Sequence, residues 1–208
     1  MAPARTVSAT ENGAARRDDI LATATQLFAD RGYANVGMRA IADEVGIRPA
    51  SLYHHFASKE EILYAISQRV TVEYTVEASA MLESGGDPVA LLREFIVRQI
   101  VFAWENRSAI DVAKREMREL HEDHLAEIVV NRTEYRRVLQ GLIVLGVEAK
   151  RFTNANPKMA SLAILSMVNG VNDWFHEEAV QRPRSKKVLK IGEVADGYAD
   201  LIVDHLLR

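Results

Sequence analysis

A chain of 208 residues with 48 % hydrophobic residues and a net charge of −3 has the material for a buried core and no overall attraction to polyanions. It holds no cysteine, which excludes disulfides, thiol catalysis and thiolate metal sites. No apolar run reaches the roughly 18–20 residues of a membrane-spanning helix. The opening "MAPARTVSATENGAARRDD" also lacks the apolar centre of a secretory signal, so a cytoplasmic protein that meets no membrane is expected.

Apolar residues recur every three or four positions and strand-like alternation is nearly absent, so the chain reads as all-α, with about nine helices. Residues 1–13, poor in large apolar groups, read as a disordered tail. A first helix over 14–31 places Ile20, Ala24, Leu27 and Phe28 on one face, with Gly32 as its stop. A second over 38–45 buries Ile41, Ala42 and Val45. Gly46 frees the backbone to end it. Pro49 presets the first turn of a third helix, 49–55, and holds Arg48 extended. "SKEE" is a capping box that opens a fourth helix at Ser58 and carries it towards residue 82. "SGGD" (84–87) breaks the chain and is too short for a phosphate loop. Asp87-Pro88 and Asn156-Pro157 read as helix starts. Further helices are predicted at 88–104, 109–119, 122–148, 157–179 and 189–207, and "RPRSKK" (182–187) reads as a solvated loop.

Two short helices joined by a glycine turn form a helix-turn-helix. A major groove about 12 Å wide accepts one such helix. Its leading residues, Pro49, Ala50 and Ser51, are small enough to let backbone approach bases. Tyr53 and His54 suit phosphate oxygens, and Lys59 sits at a helix start that already favours anions. Arg39 reaches backbone or base edges. Between residues 14 and 70, Arg16, Arg17, Arg31, Arg39, Arg48, Lys59 and Arg69 are balanced by Asp18, Asp19, Asp30, Asp43, Glu44, Glu60 and Glu61. Charge count alone therefore does not point to DNA. The competing reading of the hairpin is structural.

The stretch "ILATATQLFADRGYANVGMRAIADEVGIRPASLYHHFASKEEIL" (20–63) resembles the DNA-binding domain of the tetracycline-repressor (TetR) family. It carries "LF" and "GY" around the first helix, "IA" with glycine in the second, and "LYHHF" with lysine across the third and fourth. The resemblance implies a three-helix DNA-binding domain (14–60) and a larger ligand-binding and dimerisation domain (61–208). It implies a palindromic operator bound by a homodimer and released by a small-molecule effector. It places Arg39, Ser51, Tyr53, His54 and Lys59 at the operator, where the helix start Pro49–Ala50 and the preceding Arg48 are also expected. Gly37 departs from the pattern, since the family often has Thr or Ser there.

Residues 65–208 show no arrangement of nucleophile, base and orienting group, and no cofactor motif. "MASLAILSMVNGVNDWF" (159–175) is apolar on more than one side, with Ala163 and Gly170 small enough for close helix approach. With the 188–207 stripe it suits a four-helix dimer bundle, or else closes the monomer's core. On the 122–148 helix, Arg132 falls on the stripe of Leu125, Ile128, Tyr135, Leu139 and Leu142. A buried arginine there needs a partner, with Glu116 a candidate, or else marks an anion site. Phe102, Trp104, Met117, Trp174 and Phe175 are candidates for the wall of an apolar cavity. The segments 114–143 and 156–175 resemble TetR-like regulators that sense acyl-CoA thioesters. That implies Arg132, Tyr135 and Arg136 near the ligand, with Arg137 beside them. His121 and His124 read as a polar helix start rather than a metal site, and "HEE" (176–178) as a solvated helix end. The alternative is a helical enzyme or carrier for hydrophobic thioesters.

Overall fold

Helices account for nearly all of the computed structural model, which describes residues 9–153, 156–181 and 190–207, with side chains described for 13–153, 156–176 and 190–207. Among them are nine α-helices and no strand: α1 (Ala9–Arg31), α2 (Met38–Val45), α3 (Pro49–His55), α4 (Lys59–Ser84), α5 (Pro88–Glu105), α6 (Arg107–Arg115), α7 (Glu122–Glu148), α8 (Pro157–Gln181) and α9 (Ile191–Asp200). Helix α1 begins at Ala9, so residues 9–13, expected as tail, are helical. The rest of that tail and the 182–187 loop lie outside the described residues. The predicted 109–119 helix is instead α6 followed by a 3-10 turn at Met117–Glu119. The predicted last helix changes at Leu201 into a π-helical turn, Leu201–Leu206.

The chain forms two compact units, one of residues up to Arg69 with Ser108–Leu125, the other of Val70–Arg107 with the chain from Ala126 onward. In the first unit, Ile20, Ala24, Leu27 and Phe28 of α1 are buried, as are Ile41 and Ala42 of α2, Leu52 of α3 and Ile62 of α4. Local chemistry sets the joints. Gly32, at φ 77°, sends its N–H to the Phe28 carbonyl at 3.0 Å and stops α1. Gly37 caps α2 by backbone alone. Gly46 takes the left-handed conformation (φ 74°, ψ 34°), and the next N–H, of Ile47, reaches the Ala42 carbonyl at 2.9 Å. Arg48 is extended (φ −69°, ψ 143°), as a residue before proline must be, and Pro49 opens α3. Of the residues expected buried on α2, Ile41 and Ala42 are fully buried and Val45 is half-buried; Leu52 of α3 is fully buried and Ile47 in the turn half-buried.

At α4, Ser58 Oγ accepts the Glu61 N–H at 3.1 Å. Glu61 Oε2 reaches back to the Ala57 N–H at 2.8 Å, one residue earlier than a symmetric capping box would have it.

The second unit buries Leu92, Phe95, Ile96 and Ile100 of α5 with Leu139, Leu142 and Ile143 of α7. Val168 and Val171 of α8 and Ala195 and Ala199 of α9 complete this core. Each buried Val, Leu, Ile or Phe side chain here stabilises the unit by roughly 1.5–3 kcal/mol through removal from water, and the two alanines by less. Asn156 caps α8 with Oδ1, accepting from Lys158 N at 3.1 Å and Met159 N at 3.2 Å. Asp87 starts α5 without a side-chain cap and pairs with Arg151 at 3.1 Å instead. Arg93 of α5 forks between Asp200 and Asp204, the latter at 2.6 Å, and so grips both sides of the change from α9 to π-helix. The Thr153 N–H donates to the Leu207 carbonyl at 2.7 Å and ties the α7–α8 connection to the end of the chain.

Candidate nucleic-acid interface and effector region

Helix α3 is short, and Leu52 is its one fully buried residue. Ala50, Ser51, Tyr53 and His54 are exposed and Pro49 is half-buried, so the face opposite Leu52 is free to enter a groove. Arg48 and Arg39 are exposed beside it.

Lys59 behaves differently from a free surface cation. Its Nζ donates to the Tyr33 carbonyl at 2.8 Å and lies 3.9 Å from the Tyr33 ring centroid. Burial lowers its pKa, against the opposing pull of Glu119 and Glu116. An ammonium carries three donors, so this clamp leaves two for a phosphate.

Beneath this surface lies a carboxylate that the sequence did not single out. Glu60 is 7 % exposed. His124 Nδ1 donates to its Oε1 at 2.8 Å, the backbone N–H of His121 donates to the same oxygen at 3.0 Å, and the His124 ring stacks on Tyr64 at 3.8 Å. The two histidines thus hold a carboxylate. Among the described residues no cluster of ligands fits a metal ion.

The expected effector residues divide between the units. Met117 lies on the 3-10 turn of the first unit. The others belong to the second, in two aromatic groups. In one, Tyr135 stacks on Phe95 at 5.4 Å and meets Tyr74 edge-on at 5.2 Å, while Phe102 lies 5.1 Å from Tyr74. In the other, Phe175 meets Trp104 edge-on at 4.7 Å and Trp174 at 5.9 Å, and Trp174 Nε1 donates to Tyr198 Oη at 3.3 Å. Tyr135 Oη donates to Gln99 Oε1 at 2.6 Å, and Gln99 Nε2 donates in turn to Asn169 Oδ1 at 3.4 Å. This polar thread through an apolar region was not foreseen. The one sequence sign of it is Gln99 standing four residues after Phe95 on the buried face of α5.

Arg132 is exposed rather than buried, with its guanidinium pKa lowered by local desolvation, and Arg136 is half-buried. Glu116, its expected partner, pairs with Arg115 at 3.0 Å. A stripe on α7 wide enough to include position 132 grazes solvent at its edge, which is why periodicity alone placed the arginine inside.

Burial pushes the Tyr33 hydroxyl up to about 12 and raises Tyr74 and Tyr135 well above the ordinary tyrosine range. The folded state therefore holds these protons more tightly than the unfolded chain, whose tyrosines ionise near 10. Stability is fully present below about pH 10 and falls as pH rises through the folded values. In an absorbance titration at 295 nm these three phenols are expected to ionise only together with loss of helical circular dichroism. Reversible ionisation of all six tyrosines with the helix content intact would refute this.

An all-helical chain with an exposed recognition helix on a buried three-helix scaffold, followed by a larger helical unit, is the architecture of a helix-turn-helix transcriptional regulator. Residues 20–66 match the family described as bacterial regulatory proteins, tetR family, and residues 85–206 match the tetracyclin repressor-like C-terminal domain. The chain belongs to the TetR family of transcriptional regulators, which sets aside the enzyme or carrier alternative.

Among its relatives is the HTH-type transcriptional repressor KstR2 of Rhodococcus jostii (strain RHA1), 30 % identical over 147 residues, covering 69 % of this chain and 71 % of the relative. The solved structure of the TetR-family regulator PfmR from Thermus thermophilus superposes with a TM-score of 0.78 at 31 % identity, covering 91 % of this chain and 99 % of that one. AibR, solved in complex with isovaleryl coenzyme A and operator DNA, shares the fold with a TM-score of 0.75 at 24 % identity, covering 90 % and 98 % of the two chains.

Proposed function

We propose that the protein is a dimeric repressor that places α3 of each subunit into successive major grooves of a palindromic operator. A hydrophobic effector, an acyl-CoA thioester, releases it. The observation that carries the DNA part is the anchoring of α3 by buried Leu52 with Ala50, Ser51, Tyr53 and His54 left outward. The half-sites would stand about 34 Å apart, one helical turn. Arg39, Arg48 and the free donors of Lys59 take phosphates, and Ser51 reads base edges.

Dimerisation through α8 and α9 is supported by apolar side chains that the described chain leaves uncovered. Met159, Leu162, Leu201 and Leu206 are exposed, and nothing lies within 4 Å of the place a Cβ would take on Gly170. The effector reading is supported by the two aromatic groups around Tyr135 and Phe175, and by the coenzyme A thioester bound to AibR. In this reading Phe102, Trp104, Trp174 and Phe175 meet the acyl part, and Arg132, Tyr135 and Arg136 its polar end. Helices α4 and α7 each run unbroken from one unit into the other. A tilt of α4 on effector binding would change the spacing of the two recognition helices.

The test is fluorescence anisotropy with a duplex selected in vitro from a random pool. The Lys59→Ala protein is expected to bind both selected and random duplexes more weakly, with a salt dependence shallower by about one unit. Straight-chain and branched acyl-CoA thioesters added at saturation should lower affinity for the selected duplex. The DNA reading fails if the parent protein never prefers a selected duplex to the random pool. The effector reading fails if that affinity stays flat with every thioester.

A further inference from the structure

Arg17 lies one turn before Ile20 on the same face of α1, at the point where the buried stripe of that helix runs out. It does not point into solvent alone. Its Nη1 donates to the His55 carbonyl at 3.0 Å, and the guanidinium sits 4.0 Å above the ring of Phe56. His55 is the last residue of α3, and Phe56 is the extended residue that follows, 1 % exposed.

The last carbonyls of any helix lack intrahelical donors, and a cation there also meets the negative end of the helix dipole. For a seven-residue helix these end effects weigh heavily. Leu52, near the middle, fixes where α3 lies and leaves its tilt about that point unset. Pro49 and the Gly46 turn fix the leading end. At the trailing end buried Phe56 is joined by Arg17, whose guanidinium adds one charge-assisted hydrogen bond to the His55 carbonyl and a cation–π contact on the Phe56 ring. From this geometry we propose that Arg17 is a positioning residue for the recognition helix. It sets the tilt at which Ala50, Ser51 and His54 meet base edges, and thereby sequence preference rather than bulk affinity. This rests on DNA binding by α3. It adds a determinant outside the helix-turn-helix itself.

A phosphate-binding arginine and a positioning arginine have different signatures. Removing a phosphate contact weakens binding to all sequences alike and flattens the salt dependence by about one unit. Removing a positioning contact narrows the gap between selected and random DNA and leaves the salt slope alone. Arg16, the neighbouring residue, pairs only loosely with Asp19 at 3.8 Å and serves as the comparison.

The experiment measures Kd for an in-vitro-selected duplex and for a random-sequence duplex across a salt series. It uses full-length parent, Arg17→Ala, Arg17→Lys and Arg16→Ala proteins, each checked for parental helicity. Arg17→Ala is expected to lose about tenfold on the selected duplex and less than about twofold on the random one, at unchanged slope. Lysine keeps the charge and loses the planar fork, so Arg17→Lys is expected to fall the same way as alanine. It also keeps the test alive if the alanine protein does not fold.

Equal losses on both duplexes with a shallower slope would overturn the proposal in favour of a phosphate contact. So would full recovery in Arg17→Lys, or an Arg16→Ala protein that loses selectivity as much as Arg17→Ala. If the parent itself shows no selected duplex, the DNA-binding reading fails, and the role of Arg17 falls with it.

Discussion

Replacing Gly146 by alanine is expected to cost the second unit about 3 kcal/mol, near the upper end of overpacking penalties. A Cβ built on Gly146 would fall on ring carbons Cδ2 and Cε2 of Phe152, inside any van der Waals separation. Phe152 is 5 % exposed within the core, and its own N–H donates to the Gly146 carbonyl at 3.1 Å. Shifting the ring drags the next residue, Thr153, whose N–H and hydroxyl both donate to the Leu207 carbonyl. The strain therefore reaches the last turn of the chain. At about 2–4 °C per kcal/mol for a protein of this size, the thermal midpoint should drop by about 10 °C. Phe152→Ala is destabilising by itself, yet the double variant should be better than additive, because the space left by the ring admits the new methyl. A Gly146→Ala protein melting within about 2 °C of the parent would show that the ring can leave at little cost.

The second large effect is expected at Glu60. With the His124 imidazole removed, a carboxylate that is almost wholly out of water keeps the His121 N–H and loses its nearest side-chain donor. An uncompensated buried charge costs several kcal/mol. Because the His124 side chain is itself 29 % exposed, water replaces part of what is lost. His124→Ala should therefore cost about 2 kcal/mol, part of it from the stacking on Tyr64. Glu60→Gln, which can still accept these hydrogen bonds, should cost less than half as much. In the His124→Ala background Glu60→Gln should be neutral or stabilising, and urea denaturation of the four proteins measures the coupling. If the two single changes simply add, the pair does not act as a unit.

How much could be read beforehand follows from the range of each interaction. The helix-turn-helix was legible because its joints are written in single residues: Gly32, Gly46, Pro49 and Ser58 each impose a backbone geometry within a few positions. Helix α7 was legible to its ends by periodicity alone. Periodicity says which stripe is buried and is blind at the stripe's margins, and so Arg132 was placed inside. The Glu60–His124 pair, the grip of Arg17 on α3 and the thread from Tyr135 to Gln99 join residues 64, 38 and 36 positions apart. No local rule of propensity or capping speaks about such distances. Glu116 as a partner for Arg132 was a guess of the same long-range kind, and what the fold adds is its pairing with its neighbour Arg115.

The first unit is discontinuous: it takes the chain up to Arg69 and then waits for Ser108–Leu125. During synthesis the recognition helix emerges early, but the imidazole that Glu60 needs is made 64 residues later, after α5. At about 5–20 residues per second the ribosome takes on the order of 3–13 s to supply it. For that interval the nascent DNA-binding unit is an unfinished object in which the Glu60 carboxylate lacks its two hydrogen-bond donors. The unit is complete only once Val70–Arg107 of the other unit has been translated.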